Sequence, residues 1–123
     1  MTVRLAVVDN NPSMREFIAE VSNELGFETR LYASGDAFLD GDGDEADIIL
    51  LDILMPGRGG LEVIHELANR QSQARIYLLS SLDSADLKAM RNAGRARELR
   101  MQGIITKPLR AASLRKTLSA MMA

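Results

Sequence analysis

The sequence predicts an α/β fold in which five short strands alternate with five helices and form a parallel sheet covered by helices on both faces. Five short runs rich in apolar or β-branched residues recur along the 123 residues. Segments with apolar residues at helical spacing separate these runs. The most apolar runs lack polar alternation, which is typical of strands buried on both faces of a parallel sheet.

The predicted strands are the runs at residues 3–8, 29–33, 48–51, 76–79 and 104–106. Turn and capping residues mark the elements between them. Pro12 suits the first turn of a helix, where its missing N–H would be unpaired in any case. Gly26 is expected to end that helix, and Ser34 to cap a short second one. Residues 40–45 are expected to form a loop.

The other helices follow from the spacing of their apolar residues. The residues expected to face the core are Met14, Phe17, Ile18, Val21 and Leu25 in the first helix, Leu61, Ile64, Leu67 and Ala68 in the third, Leu87 and Met90 in the fourth, and Leu114, Leu118 and Met121 in the fifth. The segment from Ser84 to about Arg100 is expected to be helical over at least its first half.

The composition limits the class of protein. A chain of 123 residues with 46% hydrophobic residues suffices for one domain with a buried core. The absence of cysteine excludes a disulfide framework, a thiolate metal site and a cysteine nucleophile. The first ten residues do not resemble a signal peptide, and no apolar run approaches the length of a membrane span. We therefore expect one cytoplasmic domain over residues 1–123, without membrane contact.

Charge is distributed unevenly along the chain. Residues 1–60 contain 12 acidic and 4 basic residues, whereas residues 61–123 contain 5 acidic and 11 basic ones. This asymmetry is compatible with an ordinary solvated surface. It is also compatible with an acidic cation site in the first half and a partner surface in the second.

Polar residues follow the predicted strands where a parallel sheet would bring them together. In such sheets the ligand site lies beyond the carboxyl ends of the strands. The residues at these positions are Asp9, Asn10, Asp52, Ser80, Ser81 and Lys107. Any one of them alone could be a turn residue, a helix cap or a solvated side chain. Together, two carboxylates, a hydroxyl and an ammonium fit phosphoryl transfer to an aspartate with the help of Mg²⁺.

Four stretches resemble the response-regulator receiver domain in order and spacing. They are Leu5-Ala6-Val7-Val8-Asp9, Ile49-Leu50-Leu51-Asp52-Ile53-Leu54-Met55-Pro56-Gly57, Leu78-Leu79-Ser80-Ser81 and Ile104-Ile105-Thr106-Lys107-Pro108. The resemblance covers essentially the whole chain. It implies a doubly wound, flavodoxin-like three-layer α/β/α fold with the strand order 2-1-3-4-5, and a cis peptide bond between Lys107 and Pro108.

The resemblance also implies residue roles. Asp52 would accept the phosphoryl group, which Ser80 would contact and Lys107 would pair with. Asp9 and Asp52, the backbone carbonyl of Leu54 and, more weakly, Asn10 would hold Mg²⁺. Such a domain would receive its phosphoryl group from a sensor histidine kinase or a histidine phosphotransfer protein. The face formed by the fourth helix, fifth strand and fifth helix would pass the signal to an output domain, a partner protein or a second copy of the chain.

Four features depart from the family pattern. Asn10 stands where the family has a second acid, so we expect weaker Mg²⁺ binding and slower phosphorylation. Ile104 replaces the usual aromatic switch residue. Leu54 and Leu82 place apolar groups on the path of the hydrolytic water, which is similar to receivers with long-lived phosphorylation. The segment between Ser80 and Lys107 is also longer than usual.

The extra length falls in residues 94–103, and a longer fourth helix or helix–loop is expected there. The arginines of this region are Arg91, Arg95, Arg97 and Arg100. They could meet an acidic partner or could simply be solvated.

Two competing functions each require a residue or loop that this sequence lacks. A haloacid-dehalogenase-like phosphatase would need a second aspartate at position 54, where this chain has leucine. A flavin carrier would need a glycine- and hydroxyl-rich phosphate loop after the first strand, where this chain has Asn10. The remaining alternative is a pseudo-receiver that acts by protein interaction or dimerisation without phosphate. In either case we expect a signalling domain rather than an enzyme, with no direct binding of nucleic acid.

Overall fold

Strands and helices alternate along the chain in the computed structural model, which describes residues 2–53, 55, 59–80 and 85–122. The strands are β1 (Arg4–Val8), β2 (Glu28–Tyr32), β3 (Ile48–Asp52), β4 (Arg75–Ser80) and β5 (Arg100–Thr106). The α-helices are α1 (Pro12–Glu24), α2 (Gly35–Asp40), α3 (Gly60–Asn69), α4 (Ala85–Ala96) and α5 (Ala111–Met121), with a 3-10 turn at Gly43–Glu45. The predicted alternation is confirmed.

The five strands form one parallel sheet in the order β2-β1-β3-β4-β5, as predicted. β1 and β3 are neighbours, with Val8 opposite Leu51. The residues that follow this pair, Asp9 and Asp52, therefore come side by side at the carboxyl edge of the sheet. β4 and β5 pair up to Ser80 opposite Thr106, which brings the residue after β5 to the same edge.

The sheet separates two hydrophobic cores, one on each of its faces. Side chains alternate between the faces, so neighbouring residues of β1 and β3 belong to different cores. Ala6, Val8, Ile49 and Leu51 pack with the α2–α4 side. Leu5, Val7, Ile48 and Leu50 pack with residues of α1 and α5, which include Ile18 and Leu118. All five residues of β3 are buried, as expected for a central strand covered on both faces.

Three helices end in the same hydrogen-bonded turn, but with different residues at its left-handed position. At the end of α1 this residue is Gly26, with a φ of 93°, as the sequence predicts. Gln71 after α3 and Glu98 after α4 take φ values of 56° and 66°. Each turn is closed by a hydrogen bond that spans five residues, such as the one from the Leu99 N–H to the carbonyl of Gly94 (2.9 Å).

Replacing Gln71 or Glu98 with glycine is expected to stabilise the fold. A left-handed conformation costs an ordinary residue about 1–2 kcal/mol, and glycine's larger entropy loss on folding offsets roughly 0.5–1 kcal/mol of the gain. We expect a net increase in the free energy of unfolding of about 0.5 kcal/mol per site, measured by urea titration. Gln73→Gly is the control, since Gln73 is exposed and has no positive φ. An equal gain there would contradict the explanation.

Of the two forms expected for residues 94–103, the longer fourth helix is wrong and the helix–loop is closer to the structure. α4 ends at Ala96, and β5 already begins at Arg100. The additional length goes into a longer strand with an irregularity in its pairing with β4, between Ile76 and Tyr77. The helix stops because Glu98 takes the left-handed turn conformation. Glycine usually marks such a turn in a sequence, and a glutamate gives no such signal.

Two smaller expectations were also wrong. Leu61 does not face the core but is 42% exposed, because it lies on the outer side of the first turn of α3. Val63 takes its place and is fully buried. Residues 40–45 are not all loop, since α2 continues to Asp40 and a 3-10 turn follows at Gly43–Glu45. There Gly43 packs directly against the ring of Phe38.

Candidate functional site

The carboxyl edge of the sheet brings together four of the predicted site residues. Asp9 directly follows β1, Asp52 ends β3, Ser80 ends β4 and Lys107 directly follows β5. The hydrogen bonding between β4 and β5 continues one residue past the end of β5, where the N–H of Lys107 donates to the carbonyl of Ser80 (2.7 Å). The positions of these residues therefore follow from the strand register.

Asp9, Asp52 and Lys107 form a compact ionic cluster. The Nζ of Lys107 lies 2.9 Å from Oδ2 of Asp9 and 3.4 Å from Oδ2 of Asp52. Asp9 is fully buried, and Asp52 is 6% exposed. Two buried carboxylates repel each other unless a cation lies between them. Lys107 supplies that cation, so the predicted convergence of these three side chains is confirmed in the structure.

The ammonium of Lys107 is held in its charged form. Burial of the side chain lowers the pKa of Lys107, but the hydrogen bond to Asp9 and the negative charges of Asp52 and Asp9 raise it by more. The net result is that the pKa of Lys107 lies above its usual value. Lys107 therefore keeps its positive charge throughout the physiological pH range.

Two residues that the sequence did not single out hold Asp9 in place. Oδ1 of Asp9 accepts a hydrogen bond from the N–H of Asn11 (2.9 Å), and its main-chain carbonyl accepts one from Nη1 of Arg15 (2.7 Å). The side chain of Asn11 in turn caps α1 by accepting from the N–H of Met14 (3.2 Å). One signal in the sequence could have indicated that Arg15 lies near Asp9: Arg15 is in the first turns of a helix that begins three residues after Asp9.

The other predicted residues differ in how far the structure describes them. Ser80 is 4% exposed and lies at the end of β4, next to the end of β3. Asn10 is exposed beside Asp9, and its role as a weak metal ligand stays a prediction. The expected bond between Lys107 and Pro108 is cis. Several other positions singled out in the sequence lie outside the described residues: Leu54, Pro56, Gly57, Ser81, Leu82 and Ser84.

Asp9 and Asp52 are a suitable donor pair for a hard cation such as Mg²⁺, which prefers carboxylate oxygens. Both carboxylates contact the same cationic nitrogen, so an ion in that region could be shared by them. In the part of the chain that the structure describes, no third acidic or histidine side chain joins them.

The arginines near the end of α4 have individual contacts. Arg97 donates to Oδ1 of Asn69 (2.6 Å) and to the carbonyl of His65 (3.4 Å), and so ties α4 to the end of α3. Arg100 is exposed at the start of β5 and donates weakly to the carbonyl of Gln73 (3.5 Å). Arg97 is thus a structural residue rather than part of a purely solvated helix face.

Comparisons with known proteins identify the family of this chain. The family model of the response regulator receiver domain matches residues 5–119. The DNA-binding response regulator MtrA of Mycolicibacterium smegmatis is 30% identical over 88 residues, which are 71% of this chain and 39% of that protein. The transcriptional activator protein PfeR of Pseudomonas aeruginosa is 34% identical over 80 residues, 64% of this chain and 26% of that protein. The chain thus spans well under half the length of these relatives.

Solved structures of response regulators superimpose on nearly the whole chain. A response regulator from Colwellia psychrerythraea superimposes with a TM-score of 0.84 at 26% identity, covering 98% of this chain and 97% of that one. The response regulator TrrA of Thermotoga maritima, solved with Mg²⁺ and beryllofluoride, gives 0.78 at 27% identity, with 97% and 98% covered. Among the described residues, no helix is long and apolar enough to cross a membrane. The chain belongs to the response regulator receiver domain family.

Proposed function

We propose that this domain accepts a phosphoryl group on Asp52 in a two-component or phosphorelay pathway. The observation that carries the proposal is the contact of Lys107 with the buried carboxylates of Asp9 and Asp52, at 2.9 and 3.4 Å. A carboxylate nucleophile beside a fixed ammonium suits the transfer of a negatively charged group. The family membership gives this interpretation its precedent.

The transfer can be written for a phosphohistidine donor. A carboxylate oxygen of Asp52 forms a bond to phosphorus while the bond from phosphorus to the imidazole nitrogen breaks. That nitrogen keeps the electron pair and takes up a proton from solvent, so the donor histidine leaves as neutral imidazole. Lys107 stabilises the charge on the phosphoryl oxygens, and the hydroxyl of Ser80 donates a hydrogen bond to one of them. When bound by Asp9 and Asp52, Mg²⁺ would neutralise further negative charge.

The partners are proposed from the same family relationship. The phosphoryl donor would be a sensor histidine kinase or a histidine phosphotransfer protein in the cytoplasm. MtrA is named as a DNA-binding regulator and PfeR as a transcriptional activator, so an output domain or partner protein would respond to the state of Asp52. The α4–β5–α5 face would pass on the signal, either to that domain or to a second copy. The domain itself would not bind nucleic acid.

The alternative is a pseudo-receiver that needs no phosphate. Lys107 already contacts both carboxylates and offsets part of their charge, and Asn10 supplies no further negative charge to attract a metal. Such a domain would act through binding or dimerisation alone.

Binding of beryllofluoride distinguishes the two proposals, since it mimics an aspartyl phosphate. With Mg²⁺ present, we expect new bound-state signals in the fluorine NMR spectrum of the wild-type chain and none with Asp52→Asn. Unchanged spectra for both proteins at saturating Mg²⁺ would favour the pseudo-receiver.

A further inference from the structure

Asp9 is fixed from four directions, and two of its partners are cations. Its N–H donates to the carbonyl of Tyr32 (3.1 Å), and Oδ1 accepts from the N–H of Asn11 (2.9 Å). Oδ2 accepts from Nζ of Lys107 (2.9 Å), and the main-chain carbonyl accepts from Nη1 of Arg15 (2.7 Å). Lys107 and Arg15 therefore approach the same buried residue from different elements, one after β5 and one on α1.

The charges of the two carboxylates and the two basic side chains around Asp9 balance one another without a metal ion. Asp9 and Asp52 contribute two negative charges, and Lys107 and Arg15 two positive ones. Asn10, next to Asp9, is neutral. Arginine stays charged at any pH at which the protein is folded, and the carbonyl that it contacts lies within roughly 5 Å of the carboxylate of the same residue. The guanidinium is thus close enough to repel a second cation on that carboxylate.

We propose that Arg15 is a positioning residue that sets the affinity of the Asp9–Asp52 pair for divalent cations. Its hydrogen bond fixes the turn between β1 and α1, and its permanent charge weakens metal binding. The inference rests on the proposed function only in assigning this pair to the metal. It predicts that loss of the charge strengthens binding, whereas loss of a merely structural contact would weaken it.

The test compares Arg15→Gln, which removes the charge, with Arg15→Lys, which keeps it. Mg²⁺ binding is measured by isothermal titration calorimetry at low ionic strength, without any phosphoryl donor. We expect Arg15→Gln to lower the dissociation constant about three- to tenfold, and Arg15→Lys to leave it within about twofold. The difference should shrink in 1 M salt, where the screening length is about 3 Å.

Arg100→Gln is the matched control, because it removes the same charge at the opposite edge of the sheet. It should leave the dissociation constant within about twofold, since the start of β5 lies roughly 20 Å from the carboxyl edge, where the Coulomb energy of one charge in water is small. Circular dichroism checks the fold of each variant, and Arg15→Met replaces Arg15→Gln if the latter does not fold.

Four outcomes would overturn the inference. They are weaker binding in both Arg15 variants, an unchanged dissociation constant in Arg15→Gln, an equal gain in Arg100→Gln, and no detectable Mg²⁺ binding by the wild-type chain or Arg15→Gln. Phosphoryl uptake is measured separately, so its failure would contradict the proposed function and leave the Mg²⁺ result interpretable.

Discussion

Replacing Lys107 with alanine is expected to lower the free energy of unfolding at neutral pH by about 2 kcal/mol. The substitution leaves the carboxylates of Asp9 and Asp52 buried at one sheet edge without the ammonium that now contacts both. Removing one partner of a fully buried ion pair costs about 3–5 kcal/mol. The smaller value expected here reflects the 18% exposure of the Lys107 side chain. Urea unfolding measures the difference.

The pH dependence of this effect has a defined sign. Because the pKa of Lys107 is raised in the folded state, its contribution to stability is fully present below its ordinary pKa of 10.5. The contribution is lost as the pH rises through the raised folded value. The wild-type chain should therefore lose stability above about pH 10.5 relative to Lys107→Ala, and the gap between them should narrow.

Two comparisons make the Lys107 prediction specific. Lys116→Ala, at an exposed position of α5, should change the free energy of unfolding by less than about 0.5 kcal/mol. Added Mg²⁺ should recover part of the stability of Lys107→Ala, because an ion that binds only the folded state stabilises it. A Lys107→Ala variant as stable as the wild type, with no response to Mg²⁺, would contradict the proposed electrostatic role.

Gly43→Ala is expected to destabilise the fold by about 1–3 kcal/mol through steric overlap in the core. A Cβ atom at Gly43 would lie 2.5–2.8 Å from three ring atoms of Phe38. Phe38 is fully buried and also packs edge-on against Tyr32, with ring centroids 5.3 Å apart. The ring therefore has little room to move, and the 3-10 turn that contains Gly43 would have to shift.

Gly103→Ala is the control for this substitution. A Cβ atom at Gly103 would meet Tyr77 at 3.9 Å, which is an ordinary van der Waals contact. Alanine there should be neutral or slightly stabilising, since glycine weakens a strand. Thermal unfolding of both variants measures the contrast. Equal melting temperatures for the two would show that the Phe38 contact does not restrict residue 43.

The fold could be predicted because its strongest signals are local. The apolar run at residues 48–51 identifies a strand covered on both faces, and Pro12 and Gly26 mark the ends of α1. The end of α4 could not be predicted in the same way. A glutamate, Glu98, occupies the turn position where glycine is usual. The strand β5 begins at Arg100 with polar residues among its first positions, so no apolar run marks its start. Tertiary packing decides both of these boundaries.

The site was predictable to the extent that it consists of side chains at strand ends. Asp9, Asp52 and Lys107 each follow or end an apolar run, so the parallel topology alone brings them together. Arg15 was missed because it contacts a main-chain carbonyl, which every residue has and which no sequence motif records. Its partner is defined only once the turn between β1 and α1 is folded.

Phosphoryl uptake from acetyl phosphate with Mg²⁺, read by intact mass, tests most directly whether Asp52 is the acceptor. We expect one added phosphoryl group on the wild-type chain and none on Asp52→Asn. No uptake by either protein at saturating Mg²⁺, or equal uptake by both, would contradict the proposal that Asp52 carries the signal.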